Sequence, residues 1–361
     1  MDRIREGLTK PIRLGLIGCG GIVQINHLPI LLSLADSVKV VALADVVGEN
    51  LEKVGSALDV PPTQRYDDYH DMLAKAEIDA VSIATPHHLH AEHSTQAAEA
   101  GVAIISEKPM AISLQEADEI LSAVKRNDVA FTMMHNLLFT LPMVEAFAQL
   151  RGGEMGQPIF GRGQLLSLKP ADFSAQHSSP ALAWRASKAS GGGCINDTAY
   201  HEIYSVEALM GSPVRYVEAR VKNMVLNVDV DDLAIMLFEH ENGAVSTVSS
   251  SWCSPAPERG RWCEVHTTNG SIRVNHRDHD PLMRFTREDG EWKIIDVPGF
   301  PQRKVIENPG TDGHAGLFAA AFDALANGSQ MPVTAEQGRH NIAIIEAARK
   351  ATEERQAVEV E

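Results

Sequence analysis

Three side chains of this sequence have the chemistry needed to take a proton from an alcohol. Lys108 lies in the tripeptide Glu107-Lys108-Pro109, and Asp197 and His201 follow a run of three glycines much further along the chain. Asp197 and His201 are spaced i and i+4, so on a helix they share one face. An ammonium group stabilises a developing alkoxide, and an imidazole with a pKa of about 6.5 accepts a proton at neutral pH. The residues predict acid–base chemistry on one hydroxyl, provided that the two halves of the chain fold together.

A glycine-rich loop near the start of the chain predicts a dinucleotide site. Gly18-Cys19-Gly20-Gly21-Ile22-Val23 directly follows the apolar segment 12–17 and opens a helical pattern. The first glycine would make a tight turn, the second would let backbone approach a pyrophosphate, and the helix N-terminus would receive the anion. Val23 stands where this motif usually has Gly or Ala, which predicts a helix displaced slightly outward. A tight strand–helix turn without a ligand is the alternative interpretation.

The next predicted strand ends at Asp45, in the place where a carboxylate binds the hydroxyls of a ribose. This negative charge repels a 2′-phosphate, and Val46 and Val47 supply no guanidinium to neutralise one. The sequence therefore predicts NAD as the cofactor, in preference to NADP.

The elements that must position these groups differ between the two halves of the chain. In residues 1–135, apolar strands alternate with helical patterns, as expected for a parallel sheet covered on both faces. The strands are predicted at 12–17, 38–44, 78–84 and 103–107, and the helices from 22, at 48–58, 67–76 and 91–100, and from 113. The segments 85–90 and 107–109 then follow carboxyl ends of strands, where open α/β sheets bind ligands.

Residues 136–361 predict a second domain with a different pattern of strands and turns. Alternation in 217–222 and the Asn242-Gly243, Asn269-Gly270 and Asp289-Gly290 turn signals favour antiparallel hairpins. Strands are predicted at 233–238, 244–250, 261–267, 271–275, 282–286 and 291–297, and helices at 196–210, 314–327 and 335–354. The fold class is thus α/β: a Rossmann-type parallel-sheet domain followed by an α+β domain with a large, mostly antiparallel, open-faced sheet. The uncovered face predicts a homodimer or homotetramer formed through this sheet.

Composition and charge exclude several classes of partner. The 361 residues include 32 Lys and Arg against 48 Asp and Glu, a formal net charge of −16. So acidic a chain repels nucleic acids and anionic lipid surfaces. No apolar stretch approaches the roughly 18 residues of a membrane span, the first seven residues lack the apolar core of a signal peptide, and the four cysteines form no C-x-x-C pair. We expect a cytoplasmic protein with reduced thiols.

Four motifs together resemble the Gfo/Idh/MocA family of oxidoreductases. They are the G-x-G-G-I loop at 18–22, T-P-x-x-x-H at 85–90, E-K-P at 107–109 and G-G-G-x-x-x-D-x-x-x-H at 191–201. The family comprises NAD(P)-dependent dehydrogenases of sugars, inositols and sugar acids. The resemblance implies that Lys108 hydrogen-bonds the reacting hydroxyl, that His201 is the general base, and that Asp197 orients it or binds substrate. It also implies a cis Lys108–Pro109 peptide bond and places Trp184 and Arg185 near nicotinamide and substrate.

One segment departs from the family pattern N-x-R-F before a proline. Asn136 and Phe139 are retained, but Leu138 stands at the arginine position and the proline is displaced to Pro142. Any substrate contact made by that arginine is absent, so the substrate cannot be inferred from better-known relatives. Lys169, Arg185 and Lys188 could instead form a cationic wall, which favours a sugar acid.

The expected site residues follow from these motifs. Those expected to bind the cofactor are Gly18, Gly20, Gly21, Ile22, Val23, Asp45, Thr85, Pro86, His90, Glu107, Lys108, Asn136, Trp184 and Arg185. Those expected to bind substrate are Lys108, Asn136, Lys169, Arg185, Asp197 and His201, of which Lys108, Asp197 and His201 are catalytic. His87, His88, His90 and His93 match no zinc spacing, so no metal site is expected and His90 is expected to line the nicotinamide pocket.

Three functions remain open at this point. The first is an NAD-dependent dehydrogenase that oxidises a secondary hydroxyl of a polyol, sugar or sugar acid. The second is a redox-neutral enzyme that cycles a bound NAD, such as an oxidoisomerase of a branched sugar acid or an NAD-dependent glycosidase. The third is a non-catalytic NAD-binding regulator, which would not need Lys108, Asp197 and His201 together.

Overall fold

A computed structural model describes residues 7–170, 173, 183–255, 261–275, 281–297 and 311–361. The chain forms two compact units, residues 1–136 with 314–342 and residues 137–313 with 343–361. Segment 314–342 thus packs with the first unit, whereas the predicted boundary assigned it to the domain 136–361. Backbone hydrogen bonds explain the difference, because Met133 N–H donates to the Val333 carbonyl at 3.1 Å and Leu8 N–H donates to the Leu325 carbonyl at 2.9 Å.

The first unit contains a six-stranded, fully parallel sheet in the order β3-β2-β1-β4-β5-β6. Its strands are β1 (Ile12–Ile17), β2 (Val38–Ala44), β3 (Arg65–Tyr66), β4 (Ala80–Ile83), β5 (Ala103–Ser106) and β6 (Phe131–Met133). The helices that join them are α1 (Leu28–Ser33), α2 (Gly48–Ala57), α3 (Tyr69–Lys75), α4 (His90–Glu99) and α5 (Leu114–Asn127). Every residue of β4 and β5 is buried, as expected for strands covered on both faces. The predicted Rossmann-type sheet is confirmed.

Two further helices lie in the C-terminal part of the chain. They are α8 (Thr311–Asn327) and α9 (Ala335–Glu354), and α9 contributes residues up to Ile342 to the first unit. Both agree with the predicted helical segments. Among the described helices, none combines the length and apolar character needed to cross a lipid bilayer.

The second unit contains a nine-stranded sheet in the order β14-β13-β12-β11-β7-β10-β9-β8-β15. Its helices and strands are α6 (Leu141–Arg151), β7 (Pro158–Leu166), α7 (Tyr200–Met210), β8 (Val214–Lys222), β9 (Leu233–His240), β10 (Val245–Ser251), β11 (Trp262–Thr267), β12 (Gly270–Asn275), β13 (Leu282–Thr286), β14 (Trp292–Ile294) and β15 (Val358–Glu359). Among these strands β7 and β10 pair in parallel and all other neighbours are antiparallel. The sheet is therefore mixed but mostly antiparallel, as predicted.

Helix α7 packs on one face of this sheet, and Gly163 shows how closely. A Cβ atom at Gly163 would lie 2.7 Å from Cγ2 of Val206, so any larger residue would push the helix away. The other face exposes apolar side chains, among them Ile235, Leu237, Trp292 and Ile294. This contrast confirms the open-faced sheet that the alternating pattern predicts.

Candidate active site

The glycine loop follows β1 with the geometry that a pyrophosphate site needs. Gly18 has a φ of +91°, and a Cβ atom there would lie 2.7 Å from the carbonyl oxygen of Ala84, so only glycine fits. At Gly20 and Gly21, by contrast, an added Cβ would meet no described atom within 4 Å. The outer side of the loop is thus open above the start of a helix over residues 21–33. An open glycine backbone at a helix N-terminus fits a dinucleotide phosphate.

The start of that helix contains the residue that departs from the usual motif. Val23 is fully buried, and residues Val23–His27 form a π-helical turn before α1. A π turn is wider than an α turn. The helix is therefore locally widened at the position where the motif usually has a small residue.

Asp45 is both the predicted ribose ligand and a support of the loop. Its carboxylate accepts hydrogen bonds from the backbone N–H of Cys19 at 2.6 Å and of Val47 at 2.8 Å. The side chain of Asn50 donates to it at 3.2 Å, and Gln24 donates to Asn50 at 3.0 Å. Sequence reasoning missed Gln24 and Asn50. Gln24 directly follows the glycine loop, and Asn50 lies in the first turn of α2, shortly after Asp45.

His90 joins the two loops at the carboxyl ends of β4 and β5. Its Nδ1 lies 2.7 Å from the carbonyl oxygen of Pro109, and its Nε2 lies 2.8 Å from that of Thr85. Burial lowers the pKa of His90, and the ring has no exposed surface. The sequence predicts that this ring lines the nicotinamide pocket. In the structure both ring nitrogens face backbone carbonyl oxygens instead. His90 therefore positions Thr85, Pro86 and the Glu107-Lys108-Pro109 segment. The Lys108–Pro109 peptide bond is cis, as predicted.

Glu107 is the centre of a buried hydrogen-bond network that the sequence did not reveal. One carboxylate oxygen, Oε1, lies 2.8 Å from Nε2 of His27 and 3.3 Å from Nε2 of His314. Burial disfavours the carboxylate charge, but the hydrogen bonds from both histidines outweigh it and hold the pKa of Glu107 well below its usual range. Burial also lowers the pKa of His27. A neutral His27 imidazole therefore donates to an ionised Glu107 carboxylate.

Asn136 extends this network and fixes one tautomer. Its Nδ2 amide lies 3.3 Å from Nδ1 of His314. Since an amide nitrogen can only donate, Nδ1 of His314 must accept, and the ring proton lies on Nε2 facing Glu107. Lys108, which is half-buried, directly follows the anchored Glu107. Asn136 thus supports the Glu107-Lys108-Pro109 segment through His314.

The same three side chains, His27, Glu107 and His314, are the one group of His, Cys, Asp or Glu in the described chain that is close enough together to be considered as metal ligands. Their ligand atoms lie within 4.8 Å of one another. Zinc ligands at bond lengths of about 2.0–2.1 Å in tetrahedral geometry stand more than 3 Å apart, whereas His27 and Glu107 are 2.8 Å apart. That separation is typical of a hydrogen bond.

In the second unit, a glycine run and one aspartate start the helix that carries Asp197 and His201. Gly193 has a φ of +108°, and a Cβ atom there would lie 2.5 Å from Oδ1 of Asp231. Oδ2 of Asp231 accepts the Ile195 N–H at 2.7 Å. Burial raises the pKa of Asp231. The π turn Ile195–Ala199 then leads directly into α7, so Asp197 and His201 lie one turn apart on a continuous helix.

Arg185 lies beside Asp197, and both are among the residues predicted to bind substrate. Its Nε is 3.4 Å from Oδ1 of Asp197, and its guanidinium lies 4.2 Å from the centre of the Trp184 ring. The stacking orients the guanidinium. The structure therefore brings together Trp184, Arg185 and Asp197.

Lys169 approaches the same helix through an aromatic pair. Its ammonium lies 5.5 Å from the ring centre of Phe173 and 5.3 Å from that of Trp252, within the range of a cation–π contact. The indole N–H of Trp252 donates to Thr198, next to Asp197, at 2.7 Å. Lys169 and Arg185 thus place two cations on the part of the second unit that carries Asp197.

His201 has a partner that sequence reasoning missed. Its Nδ1 lies 2.9 Å from the hydroxyl oxygen of Tyr204, which also accepts the Leu137 N–H at 3.2 Å. Burial raises the pKa of Tyr204 well above its usual value, so the phenol stays protonated. The i, i+3 spacing on one helix was the available signal.

Comparison with known proteins agrees with this architecture. Residues 12–135 match the family described as "Oxidoreductase family, NAD-binding Rossmann fold", and residues 143–273 match the GFO/IDH/MocA C-terminal domain. Levoglucosan dehydrogenase of Pseudarthrobacter phenanthrenivorans is 31% identical over 239 residues, a match that spans 60% of this chain and 60% of that protein. D-apiose dehydrogenase of Paraburkholderia graminis is 29% identical over 299 residues, 80% of this chain and 74% of that protein.

Solved structures show the same fold across nearly the whole chain. The structure of levoglucosan dehydrogenase in complex with NADH superposes with a TM-score of 0.85 at 25% identity, covering 97% of this chain and 99% of the other. The Rossmann-type sheet with its phosphate loop and the open-faced sheet define a two-domain, NAD-binding oxidoreductase. The chain belongs to the Gfo/Idh/MocA family, as the four motifs predict.

Proposed function

We propose that this protein is an NAD-dependent dehydrogenase that oxidises a secondary hydroxyl of a polyol, sugar or sugar acid. The observation that carries the proposal is the placement of Lys108. It follows β5 at the carboxyl end of the parallel sheet, on a segment held by Glu107 and by His90. Ligands of open α/β sheets bind at this end.

NAD, when bound at the open glycine loop and Asp45, supplies the acceptor for the hydride. The ammonium of Lys108 would hydrogen-bond the substrate hydroxyl and stabilise the alkoxide as it forms. His201 would take the hydroxyl proton, and Asp197, held by Arg185, would orient the substrate or the imidazole.

The substrate class is proposed from the charges around Asp197. Lys169 and Arg185 would attract a carboxylate, which favours a sugar acid over a neutral sugar. The relatives named above are dehydrogenases of levoglucosan and of D-apiose, both sugars or sugar derivatives. Leu138 supplies none of the charge of the arginine that it replaces. We therefore expect the best substrate to differ from theirs.

Absorbance at 340 nm tests the proposal directly. Purified protein with NAD is mixed with a panel of polyols, aldoses, aldonates, levoglucosan and D-apiose. Accumulation of NADH with one class supports the dehydrogenase. Product formed without net NADH would instead identify the redox-neutral cycling enzyme, and NAD binding without any turnover would identify the regulator.

We further propose that the chain forms a homodimer or homotetramer through the open sheet face and works in the cytoplasm. Ile235 and Leu237 are about half exposed on β9, and Trp292 and Ile294 are exposed on the edge strand β14. Such a face is stabilised when a second copy covers it. The cysteines are free thiols, which fits a reducing compartment. Light scattering on Leu237→Lys should show smaller particles than the parent protein.

A further inference from the structure

A bridge of hydrogen bonds joins the residue after the glycine loop to the carboxylate of Asp45. The Nε2 amide of Gln24 donates to the Cys19 carbonyl oxygen at 2.8 Å and to Oδ1 of Asn50 at 3.0 Å. The Nδ2 amide of Asn50 donates in turn to Oδ2 of Asp45 at 3.2 Å. Gln24 lies in the helical turn after β1 and Asn50 in the first turn of α2 after β2. The bridge therefore connects the helices that follow two neighbouring strands.

The direction of each hydrogen bond in the bridge follows from the carboxylate. A carboxylate oxygen can only accept, so the nitrogen of the Asn50 amide must face Asp45. The oxygen of the same amide then faces Gln24 and must accept, so Nε2 of Gln24 is the donor. The two protons of this nitrogen serve the Cys19 carbonyl and Asn50. Turning over either amide would break two hydrogen bonds, so the arrangement is fixed.

The two carboxylate oxygens of Asp45 differ in how many donors they already accept. Oδ2 accepts the Cys19 N–H at 2.6 Å as well as the Asn50 amide. Oδ1 accepts the Val47 N–H at 2.8 Å. A carboxylate oxygen has about two lone-pair sites, so the described contacts use both sites of Oδ2 and one site of Oδ1. Oδ1 is therefore the oxygen that retains a site for a ribose hydroxyl.

We propose that Gln24 and Asn50 are positioning residues for Asp45: they hold Oδ2 at the glycine loop and leave Oδ1 to accept a ribose hydroxyl of NAD. This inference rests on the proposed role of Asp45 as the ribose ligand. A carboxylate that is already held in place loses less freedom when the nucleotide binds. Its charge also stays where a 2′-phosphate would have to bind. Discrimination against NADP thus depends on two neutral side chains as well as on the aspartate.

Other side chains of the segment after β2 do not replace the bridge. Residues 46–48 are two valines and a glycine, whose side chains contain no polar atom. Glu49 is exposed, and its carboxylate has no proton to donate to another carboxylate. Asn50 is thus the first residue after Asp45 whose side chain can donate to it.

The first experiment compares Asn50→Leu with Gln115→Leu by fluorescence titration with NADH and NADPH. Gln115 lies in the first turn of α5 and donates to Glu119 at 3.0 Å, so its replacement removes a similar amide–carboxylate bond elsewhere. Asn50→Leu should weaken NADH binding about three- to tenfold, as expected for one lost hydrogen bond. The ratio of the NADPH to the NADH dissociation constant should fall about threefold, because a carboxylate free to turn repels the 2′-phosphate less.

Gln115→Leu should keep the parent values of both dissociation constants. A parent affinity and a parent ratio in Asn50→Leu would overturn the inference. Equal weakening for the two nucleotides would also overturn it, because that result is expected if Asn50 acts only in packing.

The second experiment probes the far end of the bridge and its dependence on the carboxylate. Gln24→Met removes the donor to Asn50 and should shift the nucleotide ratio in the same direction, by less than Asn50→Leu does. It also keeps the inference testable if melting curves show that Asn50→Leu is unfolded. In an Asp45→Ala background, Asn50→Leu should cause no further loss of NADH affinity, since no carboxylate remains to be held. An equal loss in that background would contradict the positioning role.

The possible failures can be distinguished. If Asp45→Ala changes neither the NADH affinity nor the nucleotide ratio, the role of Asp45 as ribose ligand fails. If Asp45→Ala changes both but Asn50→Leu and Gln24→Met change neither, Asp45 keeps its role and the bridge fails. All of these measurements are of binding, so the absence of a substrate that reduces NAD would count against the proposed function alone.

Discussion

The carboxylate of Asp45 accepts a hydrogen bond from the backbone N–H of Cys19 at 2.6 Å. The residue predicted to bind the ribose is therefore also a support for the glycine loop. Its removal should affect both the fit of the loop and the charge that faces the ribose.

Replacing Asp45 with alanine should weaken NAD binding about tenfold or more, since hydrogen bonds to a charged group are lost. Discrimination against NADP should relax, because the charge that repels a 2′-phosphate is gone. Fluorescence titration with NADH and NADPH measures both effects. Glu49→Ala, which removes an exposed carboxylate in the first turn of α2, is the matched control. An unchanged ratio of the two affinities would contradict the role of Asp45.

Lys108→Ala and His201→Ala should each lower kcat by about two or more orders of magnitude while the affinity for NAD changes little. The reason is that both groups would act on the substrate hydroxyl and not on the nucleotide. Initial rates at 340 nm and an NADH titration separate the two effects. Lys39→Ala removes an exposed lysine of β2 and should retain activity. Turnover at the parent rate in either test variant would refute the acid–base assignment.

The group His27, Glu107 and His314 should function without a metal ion. Its nitrogen–oxygen distances of 2.8 and 3.3 Å match hydrogen bonds that satisfy the buried carboxylate. Dialysis against EDTA should leave the melting temperature and turnover unchanged, and elemental analysis should find no stoichiometric metal. Loss of stability on chelation, restored by zinc and abolished in His314→Ala, would identify a metal site instead.

Buried histidines should make the fold sensitive to mild acid. Burial lowers the pKa of His135 to about 3 and that of His93 to about 4. In the unfolded chain both titrate near their ordinary value of about 6.5. Below that pH the unfolded state binds protons that the folded state does not, so stability falls as the pH falls. The loss for His135 should be roughly 2 kcal/mol between pH 6.5 and 4.5.

Urea unfolding at pH 6.5 and pH 4.5 measures this loss. His135→Asn should reduce the difference between the two pH values, whatever its effect at pH 6.5. His88→Asn, at an exposed position, is the control and should retain the full difference. An equal difference in all three proteins would mean that His135 does not contribute.

Much of the fold could be predicted from local patterns. The strand β2 begins and ends where the apolar run does, and Ser113 caps α5 by accepting the Glu116 N–H at 3.2 Å, as its capping pattern predicts. Strand β7, at the centre of the second sheet, was not predicted from the sequence. Its side facing α7 carries Gly161 and Gly163 in place of apolar side chains, so the alternation on which such predictions depend is missing.

The sequence alone determined the glycine loop, Asp45 and the helix of Asp197 and His201, because each is encoded by residues close together in the chain. The cis Lys108–Pro109 bond was implied by the resemblance to the family. Only the tertiary structure decided that His27, Asn136 and His314 gather around Glu107, that segment 314–342 packs with the parallel sheet, and that the Tyr204 hydroxyl accepts a hydrogen bond from the Leu137 N–H. Such contacts join distant segments. There, burial lowers the pKa of His27, and hydrogen bonds from His27 and His314 keep the pKa of Glu107 low. No local pattern contains that information.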